Sequence, residues 1–114
     1  MRKPDNKLRL CHILDALERI AQYLQGVEKA GFEADGKTQD AVVRQLEIIG
    51  EAATNLTPEL REANPQVPWQ LAAATRNRLI HGYFEVDTDI VWAITQNDLS
   101  PLKTEIEKIL EGLA

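Results

Sequence analysis

The sequence predicts an all-α protein, an antiparallel bundle of five to six helices, on three observations. Apolar residues recur at helical spacing through most of the chain. No segment alternates apolar and polar residues as a half-buried strand does. Prolines and helix-capping residues divide the apolar stretches at short intervals. With 114 residues, the span 1–114 reads as a single domain. A chain of this length buries roughly two thirds of the surface its unfolded form exposes, so a metal or disulfide is not needed for folding.

The first helix is expected from about Asn6 to Gln25. Leu10, Ile13, Leu14, Leu17, Ala21 and Leu24 fall in one narrow arc at 3.6 residues per turn, which predicts a single buried face. Gly26 and the GFEADGK segment, residues 31–37, are expected to break it. A second helix, about Thr38 to Asn55, carries two adjacent apolar stripes. One is Val42, Leu46, Ile49, Ala53 and Leu56; the other is Ala41, Ile48 and Ala52. A face that wide predicts a helix touching more than one neighbour. Its remaining stripe is polar: Asp40, Arg44, Glu47, Glu51 and Asn55.

In TPEL, residues 57–60, Thr57 is placed as an N-cap, with Pro58 at the first position of a short helix. NPQVP, residues 64–68, reads as a connection, and Pro68 opens the next helix. Asp87 or Thr88 caps a fifth helix containing DIVWAITQ. Ser100 and Pro101 start the last, with Leu102, Ile106, Ile109, Leu110 and Leu113 on its inner side.

Composition narrows the function. The lone Cys11 excludes an internal disulfide and offers no zinc pattern, which fits a reducing, cytoplasmic setting. No apolar run approaches the ~18 residues that cross a bilayer, and no signal-peptide core follows the basic N-terminus, so a soluble protein without a membrane partner is expected. The formal net charge is −5. A whole-surface electrostatic grip on nucleic acid is therefore not expected, and any contact with RNA must use a local positive pocket.

The chemistry-bearing residues concentrate in TRNRLIHGYF, residues 75–84, which gathers Arg76, Asn77, Arg78, His81 and Tyr83. On an ideal helix Arg76 and Tyr83 share a face, as do Asn77 and His81, whereas Arg76 and His81 stand ~140° apart. A helix that relaxes near Gly82, or a second subunit, would bring them together. Spacing alone leaves two readings open: a positive helix end that offsets the helix dipole, or a site that handles phosphates and protons. For the second, imidazole as a group titrates near neutrality, so a histidine at position 81 suits taking or returning a proton. Arg76 offers a charged planar fork to a phosphate, and Asn77 would orient His81 or hold an oxygen. That set suits RNA cleavage by the neighbouring 2′-hydroxyl without a metal. A two-fold dimer would supply the second histidine that an acid–base pair calls for.

The other candidates have plainer readings. His12 lies far from the buried arc and faces solvent. Asp87 and Asp89 fit capping better than a metal pair. Arg44, Glu47 and Glu51 form a solvated face, although Arg44 and Glu51, with Arg78, could line a polar cleft. Trp69 and Trp92 are core or interface anchors. No glycine-rich phosphate loop, zinc spacing or GxSxG is present.

The segment R76-N-R-L-I-H81-G-Y83 resembles the R-x4-H-x-Y signature of HepT-like toxins, a branch of the HEPN (higher eukaryotes and prokaryotes nucleotide-binding) families. RQLEIIGEAATNL (44–56), VPW (67–69) and IVWAITQNDLSPLK (90–103) share the likeness, which runs from about Asp40 to Leu110. The resemblance implies a helical homodimer with the motif in a cleft at the dimer interface, and a metal-independent ribonuclease toxin acting on RNA, with Arg76 and His81 catalytic. It also implies a partner antitoxin, a minimal nucleotidyltransferase of the MntA type, which uses ATP to place AMP on Tyr83 and so silences the nuclease. The toxin itself would need no cofactor. The rival reading is a non-catalytic helical subunit of a two-part nucleotidyltransferase, with the same pocket holding a nucleotide or substrate.

Overall fold

The computed structural model describes residues 5–69 and 87–113, and most of its helices start at a side-chain cap. Helix α1, Asn6–Tyr23, starts where the Asp5 carboxylate accepts the Leu8 amide at 3.0 Å. It ends just before Gly26, whose φ of 72° lies in the left-handed region that favours glycine. Helix α3, Gly36–Thr54, is capped by Asp35, which accepts from the amides of Lys37 and Thr38 and from the Thr38 hydroxyl at 2.7 Å. Asp35 is the cap, so α3 begins two residues before the expected Thr38. Helix α4, Pro58–Ala63, has the expected Thr57 cap and leading proline.

Between α1 and α3 the structure departs from the sequence expectation. Residues 29–33 form a short helix, α2 (Lys29–Glu33), where GFEADGK predicts a break. Two tertiary interactions hold it. The Phe32 side chain is fully buried, and the Gln39 amide donates to the Phe32 and Glu33 carbonyls at 2.8 and 3.0 Å. Those bonds satisfy carbonyls that a five-residue helix cannot pair internally.

Helix α5, Thr88–Asn97, is followed after Asp98 by α6, Leu99–Leu113. Among the described residues the six helices are joined without a strand, as the all-α expectation requires. Helices α1 and α3 run antiparallel: Asn6, at the start of α1, exchanges two hydrogen bonds with Thr57, just past the end of α3. Helix α6 packs on the other side of α1, also antiparallel, so that Ile109 and Leu113 lie near Asn6 while Leu99 and Lys103 lie near Leu24. Helix α5 packs on α6 and α2, and α3 touches both α1 and α2.

The core follows from that stacking. Val42, Leu46, Ile49, Ala53 and Leu56 are all buried, as their stripe predicts. On α1 the buried set is Leu10, Ile13, Ala16, Leu17 and Ile20. Ala21 is exposed and Leu14 and Leu24 are only half-buried, so the arc is turned from the expected one. The cause is that α1 serves two long neighbours, α3 and α6, whose combined footprint draws in Ala16 and Ile20. Leu113, expected inside, is 47% exposed because it sits in the last turn of α6. Among the described residues no helix is long and apolar enough to cross a membrane.

Two predictions follow from this frame. Phe32→Ala removes a fully buried ring that also packs on Trp92, and should lower the unfolding free energy by about 3–5 kcal/mol in a urea titration. Hydrogen bonds from the Thr38 hydroxyl, then its amide, hold the Asp35 carboxyl below its ordinary value. A depressed carboxyl stabilises the fold above its unfolded pKa, and that contribution is lost as pH falls through the folded value. The stability deficit of Asp35→Ala should therefore shrink on acidification below the ordinary carboxylate range. A deficit that stays constant from neutral to strongly acid pH would count against the assignment.

Candidate functional site

Arg76, Asn77, Arg78, His81, Gly82 and Tyr83 lie outside the described residues, as does the body of the helix expected to open at Pro68. The structure does describe the two anchors from which residues 70–86 depart and to which they return.

The upstream anchor is the turn between α4 and Trp69. Asn64 ends α4 and its side-chain amide donates to the Leu60 carbonyl at 2.9 Å. The Asn64 carbonyl in turn accepts the Val67 amide at 3.2 Å and the Trp69 indole N–H at 3.1 Å. Val67 is buried, and Leu60 beneath it is buried as well. With its own amide donating to the Arg61 carbonyl at 3.2 Å, one asparagine thus gathers four bonds that fix the turn and the tryptophan together.

The downstream anchor is the start of α5. The Asp87 carboxylate accepts from the amides of Asp89 and Ile90 at 3.0 and 3.3 Å, the capping role expected for this acidic pair. Asp89 faces the Lys29 ammonium of α2 at 3.4 Å. One turn on, the Trp92 ring meets Phe32 with planes tilted by 39° and centroids 5.3 Å apart, a separation within the range of interacting aromatic pairs. The unexpected helix α2 is therefore what α5 leans on.

The remaining candidates on α3 form an outward face. Arg44 and Glu51 are both exposed and two turns apart, and Arg44 pairs with Glu47 at 3.5 Å. The Glu51 carbonyl accepts from the Thr54 hydroxyl and the Asn55 side-chain amide. His12 and Cys11 are exposed on α1, His12 as expected. Among the described residues no group of three or more His, Cys, Asp or Glu side chains is placed to hold a metal ion.

Sequence reasoning passed over Arg61. In the last turn of α4 it reads as a cation offsetting the helix dipole. The structure places it with Pro58, Glu62 and Trp69 around a cavity of about 280 Å³. Its Nε is buried and has no hydrogen-bond partner among the described residues. An eight-residue separation between Arg61 and Trp69 carries no periodic signal, because the Asn64 turn intervenes.

Comparison with known proteins bears on the whole chain. Residues 13–109 match the family described as "Ribonuclease HepT-like". A protein of Methanocaldococcus jannaschii named "Gamma-glutamylcyclotransferase and putative RNase" is 43% identical over 113 residues, 99% of this chain. The chain spans only half the length of that relative. A "Probable ribonuclease HepT" of Thermococcus cleftensis is 38% identical over 107 residues, covering 94% of this chain and 97% of the relative. No solved structure gives a significant match. With a family match across most of its length and relatives that it covers almost end to end, the chain belongs to the HepT-like ribonuclease family.

Proposed function

We propose that this protein is a ribonuclease toxin that cleaves RNA without a metal, using Arg76 and His81, and that modification of Tyr83 silences it. The observation that carries the reading is the family match over residues 13–109, a span that includes the complete R-x4-H-x-Y set at residues 76–83.

The chemistry is that of an internal phosphoryl transfer. A base removes the proton of a ribose 2′-hydroxyl, whose oxygen attacks the adjacent phosphorus. The bond from phosphorus to the 5′-oxygen of the next nucleotide breaks, and that oxygen receives a proton, leaving a cyclic phosphate and a free 5′-hydroxyl. His81 is suited to move those protons because imidazole titrates near neutrality. Arg76 stabilises the negative charge that gathers on the phosphoryl oxygens in the transition state. Asn77 orients His81 or holds a phosphate oxygen. The chain has two histidines and His12 is exposed on α1, so a homodimer that brings a second His81 into the same cleft supplies the missing acid or base. Arg78 and the exposed Arg44 and Glu51 are candidates for lining that cleft.

Regulation follows from the same chemistry. A partner nucleotidyltransferase of the MntA type would transfer AMP from ATP to the Tyr83 oxygen, with release of pyrophosphate. Each adenylyl group adds a negative phosphate and a bulky base beside the catalytic pair, so the arginine is satisfied by the wrong phosphate and the pocket is filled.

Expression alone should slow growth, and His81→Ala or Arg76→Ala should relieve it while lowering RNA cleavage by about 10²-fold or more, with a chelator leaving the parent rate unchanged. A His81→Ala protein that cleaves as fast as the parent would falsify the catalytic assignment, and cleavage lost on chelation would remove the metal-independent mechanism. Binding of ATP or AMP with no RNA cleavage would favour the nucleotidyltransferase-subunit reading. Co-expression with a nucleotidyltransferase of the MntA type should raise the intact mass by one or more adenylyl groups, and Tyr83→Phe should abolish the increase. An increase that survives Tyr83→Phe places the acceptor elsewhere.

A further inference from the structure

The cavity beside α4 carries three features that belong together. The first is an arginine with unmet hydrogen-bonding capacity. Arg61 Nε is buried and has no partner among the described residues, and none of the ion pairs among those residues uses Arg61. Arg61 is only half-buried and lines the cavity, so an anionic ligand oxygen there can approach the side chain without entering the space around the buried Nε. A guanidinium is the side chain best matched to an anionic oxygen pair, since two of its nitrogens form a planar fork.

The second feature is an aromatic ring held in place. The Trp69 indole N–H is already bonded to the Asn64 carbonyl, and the Asn64 side chain is bonded to Leu60, so the ring is fixed before any ligand arrives. What Trp69 can still offer in the cavity is its apolar ring surface, the platform on which nucleobases stack regardless of sequence. The third feature is size and charge. About 280 Å³ lies just under the roughly 300–1,000 Å³ of pockets for drug-sized ligands, which suits a single nucleotide unit. The exposed Glu62 on the same cavity repels additional negative charge, which disfavours a triphosphate and favours the single charge of a phosphodiester.

We infer that the cavity lined by Pro58, Arg61 and Trp69 is a subsite for one nucleotide of single-stranded RNA, with the base stacked on Trp69 and its phosphodiester held by Arg61. The inference rests on the ribonuclease reading for its substrate class, and Arg61 and Trp69 are binding residues, not catalytic ones. Trp69 immediately precedes residues 70–86 in the chain, so a strand gripped there is tied to the origin of the segment that bears Arg76 and His81. It also answers how an acidic protein holds a polyanion: one stacked base and one guanidinium act locally, without a basic surface.

The test uses the full chain with Trp92→Phe, which leaves Trp69 as its only tryptophan. A short 2′-O-methyl RNA, which lacks the attacking hydroxyl, is titrated against Trp69 fluorescence, with ATP as the competing probe. Saturable quenching by the RNA is expected, with ATP weaker. Arg61→Gln should weaken RNA binding in this assay roughly tenfold. Trp69→Ala and Trp69→Phe remove the fluorophore and are followed by the anisotropy of a dye-labelled RNA. Trp69→Ala should weaken binding to a similar degree, and Trp69→Phe, which keeps a ring, should weaken it less. Circular dichroism confirms that each variant keeps its helices. With cleavable RNA, Arg61→Gln should raise KM and leave kcat nearly unchanged. If RNA is cleaved but neither quenching nor KM responds to Arg61→Gln, the subsite is refuted and the nuclease reading stands. If quenching is Arg61-dependent but no RNA is cleaved, the nuclease reading fails and the nucleotide site stands. Quenching by ATP in preference to RNA overturns the assignment to a polynucleotide.

Discussion

The antiparallel packing of α1 on α3 is the contact on which the other elements depend. Leu10, Ile13, Leu17 and Ile20 meet a stripe running from Val42 to Leu56, and the reciprocal bonds between Asn6 and Thr57 lock the two helices at one end. Burial of a single leucine or isoleucine is worth about 1.5–3 kcal/mol, so this seam supplies a large part of the driving force for folding. Thr57 has a second role, because its hydroxyl also caps α4. The same residue therefore closes the helix pair and launches the chain towards Asn64 and Trp69. A change there would reach the upstream anchor through covalent connection alone.

The downstream anchor is reached by a different route. Helix α2 is too short to stand by itself, and a five-residue helix has little intrinsic stability in water. Phe32 in the core and the Gln39 bonds to its last turn make it rigid, and Trp92 then packs against Phe32. The exposed Lys29–Asp89 pair contributes little energy at such exposure. The residues flanking 70–86 are thus held by the buried Phe32 ring, the half-buried Trp69 and Trp92 and the Asn64 hydrogen bonds, with surface charge in a minor role. That division is compatible with the role proposed for Arg76 in meeting a phosphate.

Charge organisation points the same way. Among the described residues Arg19, Lys29, Arg44 and Lys108 each face a carboxylate, so four of the nine positive side chains there are locally offset. A chain with a net charge of −5 cannot hold RNA by a diffuse field. Cations without such a neighbour carry more weight, which is why Arg61 matters although its place in a last helical turn reads as routine dipole compensation.

What the sequence by itself determined is everything that acts over a few residues. Thr57 with Pro58 and the Asp87 cap mark helix starts because their side chains bond amides two or three positions on. The stripe of α3 is legible because a strict repeat leaves one way to bury it. The motif at residues 76–83 and its flanks are legible as a family pattern, although their arrangement lies outside the described residues. Tertiary structure decided the rest. The buried arc of α1 turned towards Ala16 and Ile20 because two neighbours press on it, and no periodicity in α1 reports a second neighbour. Residues 29–33 became helical because Phe32 packed into the core against Trp92 and Gln39 folded back on the Phe32 and Glu33 carbonyls, overriding glycine and a short length. Arg61 and Trp69 came to share a cavity because the Asn64 turn folds α4 back on the tryptophan. In each case the deciding energy comes from burial or a hydrogen bond between residues whose separation in the chain carries no signal.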